Sequence, residues 1–140
     1  MNEVEYEKLA QSLERLREQY EFFKENEEDL SGNLKEAVQE SVIQRFETCF
    51  DTLYKHLKRY FEDQGLTNVP GSPKPIFRMA YKNNLIENLE DWIDGDDSYV
   101  QARIDTTHDY SLEKAQRALG KIGDFIQDTT DICQAIVDQK

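Results

Sequence analysis

Apolar residues recur at intervals of three and four along most of the chain, which is the spacing of a buried stripe on an α-helix. The first stripe consists of Tyr6, Leu9, Leu13, Leu16, Tyr20 and Phe23. Glutamate and lysine occupy many of the positions between them. This pattern predicts a long amphipathic helix that ends at the turn-forming sequence Ser31-Gly32-Asn33.

The second stripe is wider and predicts a helix from about residue 34 to about residue 64. Its central positions are Val38, Val42, Phe46, Cys49, Leu53, Leu57 and Tyr60. Four further apolar residues widen it: Ile43, Phe50, Tyr54 and Phe61. A helix that is apolar over so much of its circumference is expected to pack against more than one partner.

Three prolines between positions 70 and 75 interrupt the helical pattern. Ser72 followed by Pro73 is typical of a helix start, and the apolar residues at 76–81 predict a short helix. A second short helix is expected around Trp92. The sequence Asp94-Gly95-Asp96-Asp97 predicts a break between helices. After it, Ser98 is expected to cap a turn that carries Tyr99, Val100 and Ala102.

The last stripe is the most regular and follows Ser111, a good N-cap residue. It consists of Leu112, Ala115, Leu119, Ile122, Ile126, Thr129, Cys133 and Ile136. Three long helices with one or two short ones predict an all-α fold, an up-and-down bundle of four to five helices. We expect residues 1–140 to form a single domain, since the length suits one hydrophobic core.

Composition narrows the possible functions. Hydrophobic residues make up 38% of the chain, which is enough for a core, and 29 acidic against 17 basic residues give a net charge of -12. This charge speaks against sequence-blind binding of nucleic acid over a broad surface, although it allows one local basic cleft. With no apolar run near the ~18–20 residues of a membrane span and no secretory leader at its start, the chain is expected to be cytoplasmic.

The sequence shows no clear motif for binding a metal ion or a cofactor. Cys49 and Cys133 fall within apolar stripes and are interpreted as buried thiols. His56 and His108 have no second ligand at a distinctive spacing, and no phosphate-binding or dinucleotide-binding glycine motif is present. We therefore expect neither a cofactor nor a metal ion.

One polar stretch, residues 102–110, carries groups suited to phosphate chemistry. His108 can move a proton near neutral pH, and Arg103 offers fixed donors to a phosphate. Thr106 and Thr107 add neutral hydroxyls. The stretch is expected to lie just before the last helix, where loops and helix ends often carry function. The structural alternative is a salt bridge or a hydrogen-bonded histidine at a helix end.

Basic residues of the second helix allow two interpretations. Arg45 either contacts phosphate in a cleft or pairs with Glu47, Asp51 or a neighbouring helix. Lys55, Lys58 and Arg59 form the densest basic cluster of the chain. For this cluster the sequence favours a solvated helix face over a track for RNA.

Two segments resemble a known family. The helix Val42-Ile43-Gln44-Arg45-Phe46-Glu47, continued through Leu57-Lys58-Arg59-Tyr60, and the spacing of Arg103, His108 and Tyr110 are similar to motifs of the HEPN superfamily. The similarity is greatest to its nucleotidyltransferase substrate-binding proteins, also known as the HepT-like toxins of MNT–HEPN toxin–antitoxin pairs. The order of the predicted helices agrees as well.

The resemblance implies a homodimer with the motif at a cleft between protomers, where Arg103 and His108 cleave RNA without a metal ion. Arg45, Asp105 and Thr107 are expected to contact the substrate. The partner that the resemblance implies is an MNT-fold nucleotidyltransferase that acts as the antitoxin by adding AMP to Tyr110. The chain departs from the motif at the residue after Arg103, which is usually polar and here is Ile104.

Two other functions remain open from the sequence. One is a non-enzymatic subunit that binds substrate for, or restrains, a nucleotidyltransferase. The other is a helical interaction module without a chemical role for Arg103 or His108.

Overall fold

The computed structural model describes residues 3–108 and 112–139, without the side chains of residues 3–5, 108 and 112. Six helices and no strand are found within these ranges. The helices are α1 (Glu3–Asn26), α2 (Gly32–Asp63), α3 (Pro73–Lys82), α4 (Leu89–Ile93), α5 (Tyr99–His108) and α6 (Leu112–Asp138). The predicted all-α class and its three long helices are confirmed, and the short helices number three instead of one or two.

Four of the helices form an up-down-up-down bundle. Arg45 on α2 contacts Arg15 on α1, and Lys55, later in α2, lines a cavity together with Lys8, earlier in α1. The α1 and α2 helices are therefore antiparallel.

The α5 helix is antiparallel to α2, since Arg103 bonds Asp51 while Thr106, later in α5, lies 3.2 Å from Glu47, earlier in α2. It is antiparallel to α6 as well, since Tyr99 donates to Asp128 Oδ2 at 2.6 Å while Asp105 lies 4.0 Å from Arg117. None of the helices in the described ranges is both apolar and long enough to span a membrane.

Aromatic rings fill the centre of the bundle and connect the short helices α3 and α4 to it. Phe46 of α2 meets Phe125 of α6 edge-on with ring centroids 4.9 Å apart. Phe77 of α3 stacks on Trp92 of α4 at 4.6 Å, and Trp92 meets Tyr99 of α5 at 4.7 Å. Such contacts add about 0.5–1.5 kcal/mol per pair beyond the burial of area. They fix α3 and α4 against the start of α5.

The segment expected to be a capped turn is the first part of a ten-residue helix, α5. Ser98 does cap it, because its Oγ accepts a hydrogen bond from the backbone N–H of Gln101 at 3.1 Å. The helix then continues to His108, so residues 102–108 of the polar stretch are helical. The expectation was wrong because the side of α5 that faces α2 is polar. Arg103 and Thr106 pack there through ion pairs and hydrogen bonds, which leave no apolar periodicity in the sequence.

Candidate functional site

Arg103 is clamped between two carboxylates of α2. Its Nε donates to Asp51 Oδ1 and its Nη2 to Asp51 Oδ2, each at 3.0 Å, while its Nη1 donates to Glu47 Oε2 at 2.9 Å. Glu47 and Asp51 are four residues apart, which places them on successive turns of the same helix face. The salt-bridge alternative for Arg103 is therefore present in the structure.

Two threonines of α5 complete this group of polar residues. Thr106 Oγ1 lies 3.2 Å from Glu47 Oε2 and 3.0 Å from the Arg103 carbonyl oxygen. Thr107 donates its hydroxyl to the same carbonyl at 3.0 Å and accepts a hydrogen bond from Arg103 Nη1. We call Arg103, Glu47, Asp51, Thr106 and Thr107 the Arg103 cluster.

The contacts of Arg103 with these residues limit the N–H groups that it can offer to a ligand. Contacts to described residues use four of the five guanidinium N–H groups. The hydrogen bond with Asp51 raises the pKa of Arg103, against the opposing effect of burial. An incoming phosphate that takes both prongs of the guanidinium must therefore displace a carboxylate.

A cleft of about 460 Å³ opens beside Arg103, between the start of α3 and α5. Apolar side chains of Phe50, Val100 and Ile104 line part of it. Lys74 and Arg78 add two exposed cations, and the described lining residues include no aspartate or glutamate. We call this pocket the Arg103 cleft. It combines an apolar wall with three cations, which suits a ligand with a flat apolar part and an anionic part.

The residue that departs from the family motif lies in the wall of this cleft. Ile104 is 40% exposed and its side chain forms part of the cleft wall. A polar residue would be expected to bond water or a ligand in this place, whereas isoleucine extends the apolar surface that begins with Phe50 and Val100.

The other predicted substrate contacts are spread over the molecule. Thr107 belongs to the Arg103 cluster. Asp105 is buried on another side of α5, where it accepts a hydrogen bond from Gln101 Nε2 at 2.9 Å and lies 4.0 Å from Arg117 Nη1. Arg45 lies between α1 and α2, where its Nη1 donates to the Arg15 carbonyl oxygen at 2.9 Å. Only Thr107 of the three is therefore beside Arg103.

Two predicted residues cannot be placed. His108 is the last residue of α5, but its side chain lies outside the described residues. Tyr110 lies outside them altogether. Their proposed roles stay predictions that depend on the sequence.

Sequence reasoning missed the partners of Arg103 and the cations of the cleft. Glu47 and Asp51 were considered only as partners of Arg45, although their spacing of four marks a common face of α2. Lys74 and Arg78 lie in and after the proline-rich segment, and only the folding of α3 against α5 brings them to Arg103. No local pattern could have shown that contact.

The thiols and carboxylates do not form a metal site in the described part of the chain. Three or more histidine, cysteine, aspartate or glutamate side chains do not converge anywhere within it. Burial raises the pKa of the Cys49 thiol to about 12 and that of Cys133 to about 11. Both thiols are consequently protonated at neutral pH, which makes them poor nucleophiles and poor metal ligands.

Comparison with known proteins identifies the class. Residues 4–138 match the family model described as "Nucleotidyltransferase substrate binding protein like". The chain therefore belongs to this family, as its resemblance to HepT-like HEPN proteins predicts.

The chain is also similar to one individual protein. The chain is 28% identical over 98 residues to the protein named "Probable ribonuclease HepT" of Haemophilus influenzae. The aligned part covers 68% of this chain and 64% of the relative, so it spans less than two thirds of the relative's length.

Proposed function

We propose that this protein is the HEPN-type partner of an MNT-fold nucleotidyltransferase and a metal-independent endoribonuclease that acts as a homodimer. The position of Arg103 carries the proposal. This residue of the α5 motif, itself paired with Glu47 and Asp51, lines a cleft that has an apolar wall, the further cations Lys74 and Arg78, and no carboxylate in its described lining. The relative named as a probable ribonuclease supports the same activity.

In this proposal His108 serves as the acid or base and Arg103 steadies the phosphorus centre. The ribose 2′-oxygen forms a bond to phosphorus while the bond from phosphorus to the 5′-oxygen breaks. One proton leaves the 2′-hydroxyl and another reaches the departing 5′-oxygen, so the products are a 2′,3′-cyclic phosphate and a 5′-hydroxyl. A positioned proton donor or acceptor contributes about 10²–10⁴-fold to such a step.

The proposed transition state requires a change at the Arg103 cluster. Negative charge grows on the equatorial phosphate oxygens, and a planar guanidinium is well suited to meet it. Because Asp51 already takes two N–H groups of Arg103 at 3.0 Å, the substrate phosphate has to compete with this carboxylate. Thr107 beside Arg103 and Arg45 between α1 and α2 would then contact other parts of the RNA, whereas Asp105 is buried and accepts a hydrogen bond from Gln101.

The proposed control of this activity is covalent. The nucleotidyltransferase would add AMP to Tyr110, two residues from His108. A bulky anion at that position would exclude RNA by steric hindrance and by charge repulsion.

One observation favours a second function, that of a non-enzymatic substrate-binding subunit. Arg103 is already held by two carboxylates, as a structural arginine would be. In that case the Arg103 cleft would present a nucleotide or another anion to the transferase, in agreement with the family's description.

RNA cleavage in the presence of EDTA separates the two functions. We expect the full chain to cleave labelled RNA to products with cyclic phosphate ends. His108→Ala should slow cleavage by about 10²-fold or more, because it removes the proton-transfer group. Lys82→Ala, an exposed change away from the cleft, serves as the control.

Circular dichroism would verify that the variants fold. Equal rates for His108→Ala and the control would contradict the proposed mechanism. A stable complex with the transferase together with no cleavage at any protein concentration would favour the second function.

A further inference from the structure

We propose that a basic groove between α1 and α2 binds the sugar-phosphate backbone of single-stranded RNA. This binding site is separate from the Arg103 cleft, and it depends on the proposed function only for the choice of RNA as the strand. Two adjoining cavities of about 370 and 580 Å³ form the groove, and they share Lys8 and Thr52 in their walls.

The groove collects positive charge in an acidic protein. Six basic residues line it: Lys8, Arg15, Arg45, Lys55, Lys58 and Arg59. Glu62 is the one acidic residue in its described lining, although the chain has 29 acidic and 17 basic residues. Physiological salt screens exposed charges beyond about 8 Å, so the net charge of -12 acts weakly on a phosphate inside the groove.

The basic residues follow the groove lengthwise. Arg45, Lys55 and Arg59 belong to one ridge of α2, and the separation of 14 positions between Arg45 and Arg59 corresponds to about 21 Å at 1.5 Å per residue. The hydrogen bond from Arg45 to the Arg15 carbonyl fixes the guanidinium between the two helices. The groove therefore offers an extended row of cations, as a strand requires, and not one isolated anion site.

Lys58 is only weakly engaged by its acidic neighbour. Its Nζ lies 3.6 Å from Glu62 Oε2, and the two side chains are 39% and 44% exposed. Exposed pairs of this kind contribute little, so a phosphate can compete for the lysine.

The remaining lining favours a nucleic acid over a protein partner. It consists of serine, threonine, glutamine and histidine side chains, and no Trp, Tyr, Phe or aliphatic side chain is found among the described lining residues. Protein interfaces have an apolar core, whereas lysine, arginine and glutamine are common contacts to phosphate. Without a stacking platform the binding should be insensitive to base sequence and strongly dependent on salt.

The groove also borders the Arg103 cluster. Glu47 and Asp51 immediately precede Thr48 and Thr52, and the latter two line the groove. The clamp on Arg103 and the row of cations therefore lie on neighbouring ridges of α2. A strand held in the groove would pass beside the residue proposed to meet the scissile phosphate.

Salt-dependent binding tests this site. We would measure the anisotropy of a labelled oligouridine with the His108→Ala protein, which under the proposed function degrades the probe more slowly by about 10²-fold or more. The test variant adds Lys8→Gln and Lys55→Gln, both at exposed groove positions. The control adds Lys24→Gln and Lys82→Gln, which change the net charge equally at exposed positions that do not line the groove.

We expect the control to keep the binding affinity of the parent within about twofold. The slope of log K against log salt should become less steep by about 1.4 in the groove variant, since each contact to a single strand contributes about 0.7. Equal slopes for the groove variant and the control would overturn the site, as would the absence of RNA binding by the parent. Tighter binding of labelled polyglutamate than of oligouridine would overturn it in favour of an acidic protein partner.

The two proposals can fail separately. Cleavage by a protein whose groove variant behaves like the control would remove only the groove. Groove-dependent binding without any cleavage by the wild-type chain would remove only the nuclease.

Discussion

At the scale of single residues, the arginine of the motif belongs both to an ion-pair cluster and to a cleft wall. Arg103 bonds Asp51 and Glu47 on one side and lines the Arg103 cleft on the other. The ion pairs keep its side chain in one orientation, and only a quarter or less of its surface is exposed. Holding the guanidinium in advance lowers the entropy lost when a ligand arrives, while competition with the carboxylates costs affinity.

A double-mutant cycle measures how firmly Arg103 is held. We expect a coupling of about 1 kcal/mol between Arg103→Gln and Asp51→Asn in urea unfolding, because two parallel charge-assisted hydrogen bonds join the side chains. Partial exposure of the pair, 23% and 38%, keeps the value below that of a buried pair.

The matched control is the pair Lys58 and Glu62 on α2. It has a single contact of 3.6 Å between more exposed side chains, so its coupling should be about 0.3–0.5 kcal/mol. A coupling for Arg103 and Asp51 no larger than this would mean that the carboxylate does not hold the arginine in solution.

At the scale of helices, two glycines of α6 differ in what surrounds them. A Cβ atom added to Gly120 would meet no atom within 4 Å, whereas one added to Gly123 would lie 3.0 Å from Tyr20 Oη and 3.5 Å from its ring. Gly123 therefore allows α6 to approach α1 at Tyr20, and Gly120 has no such role.

Alanine substitutions should separate the two positions. Gly120→Ala should raise the free energy of unfolding by about 1 kcal/mol, the gain in helix propensity. Gly123→Ala has the same propensity gain but must displace the Tyr20 ring, so we expect its free energy of unfolding to be lower than that of Gly120→Ala by about 1 kcal/mol or more. Urea unfolding followed by circular dichroism measures both. Equal stabilisation would show that the α1–α6 contact is looser than described.

Sequence periodicity was sufficient for the elements whose buried side is apolar. The stripes around Leu13, Phe46 and Ile122 predicted α1, α2 and α6 because each buries aliphatic and aromatic side chains. It failed for α5, whose contact with α2 depends on Arg103 and Thr106. Ion pairs and hydrogen bonds bury a helix face without the apolar repeat on which such predictions depend.

The candidate sites were predictable only in part for a related reason. Arg103 could be chosen from its motif, but its partner Glu47 is 56 residues away in the chain. Lys55, Lys58 and Arg59 were visible as a cluster, whereas Lys8 and Arg15 join them only through the antiparallel packing of α1 on α2. Contacts between distant segments depend on tertiary structure, which one sequence does not display.

At the scale of the whole molecule, charge is separated. Nine of the sixteen basic residues in the described ranges line the groove between α1 and α2 or the Arg103 cleft, while the chain as a whole carries a net charge of -12. An acidic surface disfavours non-specific contact with nucleic acid, so RNA should be attracted only where the cations collect. A covalently attached anion near these cations would reduce the local positive charge and would therefore weaken the attraction of RNA.

The proposed block by AMP leads to the last prediction. The Tyr110 oxygen would attack the α-phosphorus of ATP, with loss of the phenolic proton and release of pyrophosphate. Tyr110→Phe should therefore gain no AMP on incubation with the transferase and ATP, as measured by intact mass, and should keep cleaving RNA. Tyr81→Phe, a change at a tyrosine that is 48% exposed, should be modified and inhibited like the wild type. An AMP adduct on Tyr110→Phe would place the modification on another residue, and full cleavage by the modified wild type would contradict the block by charge and bulk.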